Sequence, residues 1–273
     1  MANQKELIEV NNMKCSFTLE EWKCPEPTWT ESGKYCIFHD PSLKKDIELF
    51  KQKLEEKLEK KDYNFKGYYF PEVLNFVNKE FEEDVNFEEA TFENANFYGA
   101  TFQNANFSGV TFEKIANFVE VTFQKNAYFW EATFQDAGFE GASFQEDAGF
   151  VYATFQNANF RGATFQYTEF SVVTFENADF EGATFQEEVD FVDATFKIAN
   201  FRGASFGCVD FMGASFQEGA DFEGATFESA DFEKASFHED AKFIGATFKI
   251  ANFEGATFHY VRLKGTTFEK IVE

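Results

Sequence analysis

From Phe65 to Phe268 a large apolar residue stands at every fifth or sixth position, giving 40 ladder positions of which 39 are Phe and one is Leu263. Thirty-one of the intervening steps are five residues long and eight are six, and only Phe17, Phe38 and Phe50 lie outside the series. Self-similarity at a fixed period constrains a fold more tightly than local propensity does, because each unit has to bury its apolar face against the next copy. A period of five matches neither the 3.6-residue turn of an α-helix nor a long flat strand, so the chain has to turn at every repeat. From Phe87 onward the residue two before each ladder position is Ala, Val or Thr. Residues two apart on an extended segment share a face, so the ring fills the interior and the small residue permits close approach.

The words ANFYGA, ANFRGA and ADFEGA, centred on Phe97, Phe160 and Phe180, resemble the A-(D/N)-(L/F)-x-x pattern of the pentapeptide-repeat family. The resemblance covers residues 65–273 and implies an all-β solenoid, a right-handed quadrilateral β-helix with four repeats per coil and Phe pointing inward. Forty ladder positions then give about ten coils, a rod of about 45 Å whose axis is filled by four columns of rings. Such a rod has no internal cavity, which leaves the outside and the ends for function. Counting Phe65 as zero, the eight long steps end only on even-numbered positions. They are expected as one-residue bulges absorbed at two opposite corners.

Sorting the residue after each even-numbered Phe into columns separates two faces. One reads Tyr98, Val119, Glu140, Arg161, Glu181, Arg202 and Glu223, whose alternating charges suit a register-setting ladder of a few tenths to about 1 kcal/mol per pair. The other carries Trp130, Val151, Val192 and Met212, flanked by Tyr128, Tyr152 and Val172. An apolar strip outside an otherwise acidic rod is the expected partner-binding surface, for a foreign protein or a second copy, because Trp, Tyr and Met are enriched at interface cores. A third face stacks Gln103, Gln124, Gln145, Gln166 and Gln186, which predicts amide-to-amide hydrogen bonds along the rod.

Net charge is −24, and it is uneven: residues 1–64 contribute −2 and the repeats −22. Such a surface repels nucleic acid and anionic membrane and attracts basic partners. Family resemblance adds a second possibility, since some pentapeptide-repeat proteins mimic the width and charge of B-DNA and bind DNA gyrase. Arg161 and Arg202 and the apolar strip interrupt that likeness. No nucleophile stands beside a base and no pocket is implied, so neither an enzyme nor a small-molecule substrate is expected. The first 30 residues hold no apolar run suited to a signal peptide, and no stretch approaches the roughly 20 residues of a membrane span, which places the protein in the cytoplasm as an expectation.

Residues 1–41 have a different composition, with Cys15, Cys24, Cys36 and His39 spaced C-x8-C-x11-C-x2-H. Three thiols and an imidazole suit tetrahedral zinc, and the closing C-x2-H is a chelating spacing. A segment so short and polar has little core, so a structural zinc would supply folding energy. The alternative from the residues alone is a set of free thiols around a packed Trp22 and Trp29. The segment ending in CIFHDP resembles one that precedes the repeats in some family members, which favours the metal. Residues 42–64 read as a helix and linker: Ser42 suits a helix start, and Leu43, Ile47, Phe50, Leu54 and Leu58 recur at helical spacing. The helix is expected to cover the first coil of residues 65–273, while TTFEKIVE offers no comparable cover at the other end, leaving that coil exposed or set against another molecule.

Overall fold

The computed structural model describes residues 13–29, 32–42 and 45–272. From Phe65 on, the chain winds as a parallel β-solenoid of about ten coils. Each coil has two strand legs and two tight corners. Sheet I stacks ten strands, from Tyr69–Asn75 to Thr257–Arg262, and sheet II runs from Glu80–Phe81 to Thr267–Val272. Registers pair like with like one coil on: Thr154 with Thr174, Phe155 with Phe175, and Ala158 with Ala178.

Every even-numbered Phe opens a β-turn closed by the N–H three residues later, as in Ala163 N donating to Phe160 O at 3.0 Å. The third turn residue is left-handed at all 20 even corners, 12 times as Gly and eight times as another residue. The Asn or Asp before the Phe secures the entry: Asn159 Oδ1 accepts from Arg161 N at 3.0 Å, and Asp190 Oδ1 accepts from Val192 N at 2.6 Å. Such a closed corner has no room for an extra residue. The six-residue steps therefore put their bulges in the strand legs, not at the corners as the spacing predicts, with registers shifting between Phe134 and Asp136, between Phe144 and Asp147, and between Phe185 and Glu188.

The interior is the expected set of four ring columns. Phe144 stacks on Phe165 at 4.9 Å and 9°, while rings of neighbouring columns meet edge to face, as Phe129 and Phe139 do at 5.7 Å and 89°. Aromatic pairs in these geometries contribute about 0.5–1.5 kcal/mol each beyond simple burial.

Helix α1 (Ile47–Glu59) covers the first coil. It starts later than Ser42, because Asp46 is its N-cap, with Oδ1 accepting from Leu49 N at 3.0 Å. Ser42 instead donates its N–H to Asp40 Oδ1, and Leu43 lies outside the described residues. Phe50 and Leu54 form the buried stripe, and Phe50 meets Phe70 edge-on at 5.7 Å. In the last coil Phe258, Leu263 and Phe268 are exposed. Among the described residues no helix is long and apolar enough to cross a membrane.

Candidate metal centre and outer face

Cys15, Cys24, Cys36 and His39 come together from three separate stretches of chain, all four are buried, and their ligand atoms lie within 4.8 Å of one another. A short hairpin, Thr18–Leu19 against Trp22–Lys23, brings Cys15 and Cys24 alongside. A turn closed by Asp40 N to Cys36 O places Cys36 and His39 on one side. Cys24 and Cys36 Sγ are 3.8 Å apart, and Cys15 Sγ lies 3.6 Å from His39 Nδ1. A tetrahedron with Zn–S near 2.3 Å and Zn–N near 2.0–2.1 Å has edges of about 3.8 Å and 3.6 Å, so the donor set fits zinc. Cys36 Sγ and His39 Nδ1, at 3.0 Å, stand closer than that.

The surroundings orient the same four groups. His39 Nε2 lies 2.8 Å from Lys66 O, so a proton on Nε2 bonds the carbonyl and the lone pair of Nδ1 faces the sulfurs. Phe17 stacks on the imidazole at 4.0 Å and 11°. The Phe17 ring also crosses Gly67, where a Cβ would fall 1.9 Å from Cζ, and Gly67 is left-handed with φ +62°, so this position needs glycine on both counts. Cys36 N donates to Cys15 Sγ at 3.2 Å. Hydrogen bonds from Cys24 and Cys36 hold the Cys15 thiol far below its usual range, and the same sharing with Cys15 pushes Cys24 up to about 11 and Cys36 higher still. All three sulfurs could be thiolates together only with a cation among them. A zinc ion would find its four ligands complete, with a structural role and no open position.

The strip residues share one corner of the solenoid. Their column is fixed by backbone bonds from coil to coil, such as Glu131 N to Val151 O and Val172 N to Val192 O, both 2.9 Å. Trp130, Tyr152, Val172 and Met212 are exposed, while Tyr128, Val151 and Val192 are half-buried. Tyr128 and Trp130 lie 4.7 Å apart between ring centroids. The indole rests on Gly149 of the next coil, where a Cβ would come 2.3 Å from Nε1.

Tyr152 and Val172 are left-handed, with φ +59° and +56°. The matching corner on the opposite side is Gly from Gly141 through Gly265. That side carries the predicted charge ladder: Arg161 reaches Glu181 at 2.6 Å and Asp179 at 3.2 Å, and Arg202 reaches Glu223 at 2.9 Å. The glutamine ladder does not form among the described residues. Asparagines do that work instead, with Asn177 Nδ2 donating to Asn157 Oδ1 at 3.1 Å and Asn126 Nδ2 to Asn104 Oδ1 at 3.4 Å.

Sequence columns missed a shallow groove of about 580 Å³ beside the strip, walled by Tyr128, Trp130 and Tyr167. Its carboxylates occupy the generic Asn/Asp letter before the Phe and the bulge positions, neither of which stands out in the repeat.

The pentapeptide-repeats family model matches in overlapping stretches covering residues 65–174 and 201–267. No curated protein matches the chain. Among solved structures it is similar to HetL, a pentapeptide repeat protein involved in heterocyst differentiation regulation from the cyanobacterium Nostoc sp. strain PCC 7120. The identity is 17%, covering 79% of this chain and 93% of that one, with a TM-score of 0.40. The repeat that lays down four columns of phenylalanine is the repeat the family model recognises over most of the solenoid, and the chain belongs to the pentapeptide-repeat family.

Proposed function

We propose that this protein is a non-catalytic scaffold that binds a protein partner, or a second copy of itself, through the corner bearing Trp130, Tyr152, Val172 and Met212. One observation carries the reading: exposed large apolar residues take left-handed positions on this corner where the opposite corner uses glycine. A β-branched residue in that conformation is strained by about 1–2 kcal/mol, and strain kept at the surface points to function and not to packing. In this reading zinc on Cys15, Cys24, Cys36 and His39 ties the N-terminal segment to the first coil through His39 and Lys66 O. DNA mimicry has less support, because Arg161 and Arg202 neutralise carboxylates on the opposite side.

The test is affinity capture together with mass in solution. Trp130→Glu plus Met212→Glu is expected to remove captured proteins or to reduce an oligomer to the monomer. An unchanged capture profile with an unchanged mass contradicts the reading.

A further inference from the structure

The groove beside the strip follows the ends of the sheet II strands. Registers place Tyr128, Gly149, Glu169, Asp190, Asp210 and Asp231 in one row across six successive coils. Four neighbouring coils thus present one carboxylate each, about 4.8 Å apart. The bulges add two more, since Asp147 and Glu188 are displaced by the extra residue of their strands and line the same groove. No Lys or Arg lines it.

The opposite side has the same row and treats it differently. There Asp179 is bridged by Arg161, and Asp221 by Arg202 and Lys242 at 3.5 and 3.2 Å. None of the six groove carboxylates has a cationic side chain within 4.0 Å among the described residues. Burial, with Asp231 and Asp190 nearby, pushes the Asp210 carboxyl above its usual range. On the groove floor Thr168 is 5% exposed, and its buried Oγ1 has no hydrogen-bond partner. At one end the Tyr128 and Trp130 rings form an aromatic wall, with the exposed Tyr167 on the lining as well. Aromatic faces attract guanidinium and ammonium groups.

We infer that the groove binds an extended arginine- or lysine-rich segment of a partner protein, its cations on the unpaired carboxylates and one of them over the Tyr128–Trp130 pair. The inference rests on the proposed partner surface and names the chemistry of its occupant. Six coils span about 24 Å, the length of about seven extended residues. The groove is open along that length, and its charge excludes nucleic acid and anionic lipid.

The test titrates the full chain with fluorescein-labelled octa-arginine, followed by anisotropy at low and at physiological salt. Asp190→Asn plus Asp210→Asn keeps the acceptors that close the corners and should weaken binding by about tenfold or more, while Asp179→Asn plus Asp221→Asn, equal in net charge, should change it by less than about twofold. Trp130→Leu should weaken binding and abolish the tryptophan fluorescence change on titration. Equal losses in the two double variants would mean diffuse attraction and overturn the inference, as would no binding at low salt. If capture in cells depends on Trp130 and Met212 while octa-arginine ignores the groove variant, the partner surface stands and this inference alone falls.

Discussion

Val172 and Gly182 occupy equivalent turn positions on opposite corners, at φ +56° and +67°. A Cβ at Gly182 would meet nothing within 4 Å, so the comparison isolates backbone conformation from packing. Val172→Gly is expected to stabilise the protein by about 0.5–1 kcal/mol, and Gly182→Val to destabilise it by about 1–2 kcal/mol. Urea unfolding measures both; two null effects would show that left-handed residues carry no strain here and would remove the main support for the partner surface. The same scale explains what the sequence left hidden. Asp190, Asp210 and Asp231 look like any Asn or Asp of the motif, since each also closes a turn by accepting the N–H two residues on. Whether such a carboxylate is paired depends on the next columns, where Arg161 and Arg202 serve one side only.

Among the elements, the Cys/His set was marked as candidate ligands by three Cys, one His and a C-x2-H close, with free thiols left open until the CIFHDP resemblance favoured a metal, and the structure gathers all four. The helix start was not legible, because both Ser42 and Asp46 are good caps and only tertiary placement decides. Cys36→Ser is expected to lower bound zinc from one per chain to a small fraction and to expose the first 60 residues to protease while the repeats stay resistant. Equal metal content in variant and wild type contradicts the assignment. Between the Cys/His cluster and α1, Lys45 is buried, with Nζ donating to Tyr69 O at 2.8 Å, and burial lowers it from 10.5 to about 8. The unfolded chain then binds more protons than the folded one between those values, so stability rises with pH across that window. Relative to Lys45→Met, wild type should gain about 2–3 kcal/mol from pH 8 to pH 10.5, read by urea unfolding; a constant difference would contradict a depressed lysine.

At the scale of the whole molecule, the period of five was enough to predict a chain that turns at every repeat with the small residue on the ring's face, while the family resemblance supplied four repeats per coil and with it the ten coils and four ring columns. The period did not by itself say which segments are corners and which are legs, although the letters differ, with Gly two after even-numbered Phe only and Thr or Ser before odd-numbered Phe from Phe92 on. The turn hydrogen bonds settle that, and with it the place of the bulges. What remains variable is a surface whose middle coils have two unlike sides, one with arginine ion pairs and glycine corners, the other with carboxylates that meet no cation and left-handed Tyr152 and Val172. That difference is most directly tested by photo-crosslinking in the cells that express the protein, with p-benzoylphenylalanine placed at Tyr152 or at Arg202. Both positions are exposed and lie on opposite sides of the rod. Discrete protein adducts from position 152 and none from position 202 are predicted; equal adducts from both, or adducts from position 202 alone, would contradict a one-sided partner surface.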